Sequence, residues 1–126
     1  MIEELVTLKT AKMLKEKGFN WKCEHLIDRN KVITKYDIPQ SMVVCMEIDG
    51  ELVEFLCPAL YVAQKWLRQE KNLHIEISYM YGNYWIYDIL TIPEHDLVRL
   101  SDRPIIRYET YEEALEAGIL EALKLI

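Results

Sequence analysis

Six side chains are of types that ligate metal ions or act in nucleophilic pairs: Cys23, His25, Cys45, Cys57, His74 and His95. A structural zinc site needs four such ligands, usually announced by CxxC, HxxxH or HExxH spacing. None of these spacings occurs. Cys23-Glu24-His25 is the one close pair, and two ligands do not close a tetrahedron. Cys45 sits inside an apolar run and Cys57 just after one, so buried, inert thiols and surface histidines are the expectation. A Cys/His nucleophilic pair is assembled in space rather than along the chain, and nothing local marks any of the three thiols. There is no GxSxG elbow, and the 4 glycines follow neither GxGxxG nor P-loop spacing. The adjacent carboxylates Glu112 and Glu113 stand where a helix begins, and there they complement its dipole. The residues therefore predict no catalytic group, no cofactor and no metal. An enzyme would need polar groups from distant segments, such as Cys23, His25, His74 and Glu76, to converge in one pocket.

The 126 residues fit one domain by size. A hydrophobic fraction of 51% beside 29% charged residues is that of a folded globular chain, not a disordered one. The formal net charge of −6 argues against broad binding to phosphate backbones, which needs clustered Lys and Arg. No stretch approaches the ~20 apolar residues of a membrane span. The N-terminal segment, charged from its third residue, lacks the pattern of a secretory signal. An odd, scattered set of 3 cysteines does not describe a disulfide framework. These features predict a cytoplasmic setting with no membrane contact.

The elements that must position any site read as follows. A first helix is expected near 5–17, ended by Gly18, with Phe19 folding back onto Leu14. Trp21 and Cys23 read as core anchors, with a turn at 28–30 and a short strand through Val32, Ile33 and Tyr36 before Pro39. Asp49-Gly50 supplies the positive φ of a type I′ turn, so residues 42–56 read as a hairpin. In that hairpin Val44 and Met46 would share the core face with Val53 and Phe55. Pro58 at the first position opens a helix near 58–71, with Gln64, Lys65 and Arg68 on its wet face. Residues 73–92 read as a second hairpin turning at Gly82-Asn83, and Ile105 to Tyr108 as a further strand. The last helix, near 111–125, has a capping box in Thr110 and Glu113. The whole reads as α+β: an antiparallel sheet from the two hairpins packed against the three helices, in one domain spanning 1–126.

Two surfaces stand out as candidates for contact. With a two-residue turn, His74, Glu76 and Met80 share the outer face of the second hairpin with Trp85, Tyr87 and Ile89. Exposed aromatic and Met side chains are typical of interfaces. The same register puts Asp88 on the core face, which demands a partner or a longer turn. On the last helix, Leu120 and Leu123 fall among charged residues, which predicts burial on a second side, by a homodimer or by another helix.

Four segments, TLKTAKMLKEKGFNWKC, CPALYVAQKWLRQEKNLHIEI, YGNYWIYDI and YETYEEALEAGILEALKLI, together resemble a group of small hypothetical proteins of phages and prophages of gut anaerobes. They cover a little over half of the chain. The resemblance implies a mobile-element origin in a bacterial host and carries no activity, cofactor or catalytic residue with it. The expected function is a non-enzymatic interaction or accessory protein with an unidentified protein partner, and a homodimer as one form. The alternative is a nucleic-acid-binding or nucleic-acid-mimicking regulator, against which the acidic balance counts.

Overall fold

The computed structural model describes residues 4–42, 45–98 and 106–126. The fold is α+β, with antiparallel strands throughout. The backbone packs as two compact units, Met1–Ala59 and Leu60–Ile126. The two expected hairpins consequently lie in different units and belong to different sheets.

The first unit opens with α1 (Leu8–Glu16). It starts later than the apolar pattern suggests because Thr7 is extended and its hydroxyl accepts from the Thr10 amide. Its end is a complete Schellman motif. Gly18 takes φ 94°, the Phe19 N–H donates to Leu14 O at 2.9 Å, and the Gly18 N–H donates to Lys15 O at 3.2 Å. Strands β1 (Cys23–Asp28) and β2 (Ile33–Gln40) form a hairpin, and β5 (Glu54–Leu56) flanks β1 on its other side. Asp28 closes the β1–β2 turn by accepting from the Asn30 and Val32 amides at 2.8 and 2.9 Å. The second strand runs through Pro39 rather than stopping before it. Proline is tolerated there because β2 is an edge strand and its pairing slips between Cys23 and His25.

The Asp49-Gly50 turn is present, with φ 52° and 82°, but it joins strands of only two residues, β3 (Glu47–Ile48) and β4 (Glu51–Leu52). Beyond Val53 the chain leaves that ladder to pair with β1 instead. Val53 and Phe55 are buried as expected, whereas Met46 is exposed. Val44 lies outside the described residues. α1 packs on β1 and β5, and Leu14, Phe19, Leu26, Ile27, Phe55 and Leu56 form the core.

The second unit comprises α2 (Leu60–Glu70), β6 (Leu73–Met80), β7 (Tyr84–Thr91) and α3 (Tyr111–Lys124). Pro58 precedes α2 rather than opening it, and its carbonyl accepts from the Val6 N–H at 2.9 Å. Gln64 is not a wet-face residue, because its Nε2 donates to Ile75 O at 2.8 Å and ties α2 to β6. Thr110 caps the helix as expected, with the Glu113 N–H donating to Thr110 Oγ1 at 3.1 Å, but the return bond from Glu113 to the Thr110 amide that would complete a capping box is not among the hydrogen bonds of the described residues. α3 lies across both strands, and α2 packs against β6 and α3. This accounts for the spare leucines of the last helix. Leu123 is fully buried within its own protomer, covered without any second copy, and Leu120 is half-buried.

Gly118 lets α3 come this close. A Cβ there would stand 2.7 Å from Ile75 Cγ2, nearer than real Cβ contacts come, and a tight 3.1 Å from Tyr87 Cγ. Its position in the middle of a helix, at a cost of about 1 kcal/mol relative to Ala, was the available signal for such an approach.

Candidate interaction surface

The second hairpin turns through three residues, Tyr81-Gly82-Asn83, with Met80 paired to Tyr84. Gly82 and Asn83 do take positive φ, 104° and 64°, as a two-residue turn would require. The additional Tyr81 shifts the register by one, and because side chains alternate, the shift moves every residue of β7 to the other face. Ile75, Ile77 and Tyr79 therefore share a face with Trp85, Tyr87 and Ile89. His74, Glu76 and Met80 share the opposite face with Tyr84, Asp88 and Leu90.

The six residues expected to form one outer surface are thus divided by the sheet. Tyr87 and Ile89 are core residues beneath the helices, and His74, Glu76 and Met80 lie on the far side. The physical reason is burial. This register sends three large apolar side chains of β7 towards α3 and sends Asp88 away, whereas the shorter turn would bury a carboxylate.

Trp85 keeps one foot on each side of this correction. It belongs to the helix-facing side but lies at the tip of the hairpin, half-buried. Its ring is 4.7 Å from that of Tyr79, tilted by 52°, and meets Tyr111 edge-on at 5.5 Å. Its backbone exchanges two hydrogen bonds with Tyr108, at 2.8 and 3.0 Å, which is all of the expected 105–108 strand that the described residues show. Ile105 lies outside them. Tyr79 and Tyr111 remain exposed at 57% and 39%, and Tyr81 stands free at the turn. The Tyr79 hydroxyl donates to Asn83 Oδ1 at 2.7 Å, and the Arg107 guanidinium lies 4.5 Å over the Tyr84 ring. The result is a solvent-facing cluster of rings held in place from below. Tyr79, Tyr81 and Tyr111 were missed as site residues because they come from two elements, brought together only by the three-residue turn and the crossing of α3.

Two of the three thiols, Cys23 and Cys57, are buried, and Cys45 is half-buried. Cys57 is completely buried and donates to Val6 O, and Cys23 is 5% exposed and donates to Trp21 O. Burial pushes the Cys23 thiol up to about 12, and the nearby Cys57 and Cys45 add to the shift. Burial also raises Cys45, assisted by the Glu54 carboxylate and opposed by the Leu56 N–H. Thiols held protonated are poor nucleophiles and poor ligands. Among the described residues no three His, Cys, Asp or Glu side chains are arranged to hold a metal ion. Cys23 and His25 belong to the first unit and His74 and Glu76 to the second. His95 is exposed on the connection after β7, at φ 63°. No helix among the described residues is long and apolar enough to cross a membrane. Compared with protein-family models, curated proteins and solved structures, the chain finds no match in any of the three.

Proposed function

We propose that this chain is a non-enzymatic interaction protein of phage or prophage origin, working in the cytoplasm of a bacterial host and contacting a protein partner through the aromatic tip of its second hairpin. The observation that carries the reading is Trp85, wedged between Tyr79 and Tyr111 while both tyrosines stay exposed. Tyr and Trp are the side chains richest in interface energy, because they offer large, rigid, amphipathic area at little entropic cost. Single-stranded nucleic acid also stacks on such rings. The acidic net charge of −6, and Glu109 and Glu112 beside Tyr111, favour a protein instead.

A photo-crosslinking residue in place of Tyr81 tests this in host lysate, with the same residue in place of exposed Gln69 on α2 as control. One defined protein adduct at position 81, absent at 69 and lost in a folded Tyr79→Ser/Tyr111→Ser variant, is the expected result. Adducts that are the same at both positions overturn the reading.

A further inference from the structure

Of the two outer edges of the β6–β7 pair, one is occupied. On β7, Trp85 exchanges two hydrogen bonds with Tyr108, Ile89 O accepts from the Val98 N–H at 2.8 Å, and the Thr91 N–H donates to Asp96 O at 2.9 Å. These contacts also establish which residues point outward. Hydrogen-bonding direction alternates along a strand, and residues facing each other across an antiparallel pair turn the same way. Trp85, Ile89 and Thr91 lie opposite Tyr79, Ile75 and Leu73. The outward groups of β6 are therefore those of Leu73, Ile75, Ile77 and Tyr79. Ile75 O is taken by Gln64. The outward N–H and C=O groups of Ile77 and Tyr79 have no partner among the described residues. This leaves a short, bare strand edge, immediately beside the aromatic tip.

Two carboxylates stand next to that edge. Glu76 and Asp88 lie directly opposite each other across the ladder, and neither has an ion pair or hydrogen bond among the described residues. Like charges in this position repel. A strand added outside β6 would hydrogen-bond to Ile77 and Tyr79, which places its residue opposite Glu76 in a non-hydrogen-bonded pair, where side chains approach most closely.

We propose that the open edge of β6 receives an extended segment of another protein that carries Lys or Arg opposite Glu76. Backbone pairing to Ile77 and Tyr79 supplies the attachment, and the cation neutralises the Glu76–Asp88 pair. A second copy of this chain is the poorer occupant, because β6, LHIEISYM, has no Lys or Arg to offer. The proposal rests on the reading of this unit as a binding module and names the chemistry of its partner.

The test uses the full chain labelled with ¹⁵N and two capped peptides of about ten residues, the length of a long strand. One alternates Lys and Val, and the other is its twin with alternate amides N-methylated, equal in charge. The expected result is a saturable downfield movement of the Ile77 and Tyr79 amide protons with the first peptide and none with the twin. Glu76→Lys should keep the fold, since it removes a repulsion, and should weaken binding by about ten-fold. Failure of the first peptide to move these two amides, or equal effects of both peptides, overturns the proposal. Continued capture through position 81 in that case would leave the interaction surface standing and remove only the strand edge.

Discussion

Gly118 and Ile75 are in contact so close that a single methyl group on the glycine would stand 2.7 Å from Ile75 Cγ2. The distance between α3 and the β6–β7 hairpin is therefore set by the absence of a side chain. Gly118→Ala should destabilise the protein by about 1–3 kcal/mol through overpacking, although alanine improves helix propensity by about 1 kcal/mol. Ile75→Leu removes the offending branch at nearly constant volume. In urea unfolding, the double variant should lose less than the sum of the two single losses. Simple additivity would show that α3 has other means of relaxing.

The one-residue register shift makes Tyr79 and Tyr87 opposites in energy although both lie on the same face. Tyr87 is buried under α3, and Tyr87→Ala should cost about 3 kcal/mol. Tyr79 is 57% exposed, and Tyr79→Ala should cost within about 1 kcal/mol while shifting the fluorescence of Trp85, whose ring it covers. Equal losses for the two variants in denaturant unfolding would contradict this register.

Cys23 gives the fold an alkaline limit. Its thiol is raised from 9.0 to about 12 in the folded chain, chiefly by burial. The folded state thus favours the protonated thiol, and the associated stability is complete below pH 9.0 and lost as the pH climbs towards 12. Unfolding free energy measured from pH 8 to pH 11 should fall less steeply in Cys23→Ala than in the parent chain. A neutral thiol also predicts slow alkylation of native Cys23 at pH 8, with the half-buried Cys45 reacting ahead of it. Identical slopes for parent and variant would place the titration elsewhere.

Glu76 and Asp88 face each other across the ladder, and neither has an ion pair among the described residues. Glu76→Thr should raise stability by about 0.5 kcal/mol, combining relief of repulsion with better strand propensity. The gain should shrink in 1 M salt, where the screening length falls to about 3 Å. A loss of stability on this substitution would reveal a cationic neighbour for Glu76.

The sequence by itself determined the elements whose signals are local. Gly18 with Phe19, Asp49-Gly50 and Thr110 with Glu113 each act through backbone bonds to residues a few positions away, so type and spacing suffice to write the motif. The α+β class, the helix stripes and the burial of Cys23 and Cys57 followed from the same kind of information. Tertiary structure decided what the local code leaves degenerate. Gly82-Asn83 is compatible with turns of two or three residues, and only the burial of Tyr87 and Ile89 beneath α3 selects the longer one. The departure of β5 from the first hairpin to pair with β1, the coverage of Leu123 inside one protomer and the approach of α3 allowed by Gly118 depend on packing between distant segments. The aromatic tip and the open edge of β6 depend on it too. A period-two pattern shows which side chains share a face with one another, but which face meets the core is settled by what the rest of the chain brings to cover it.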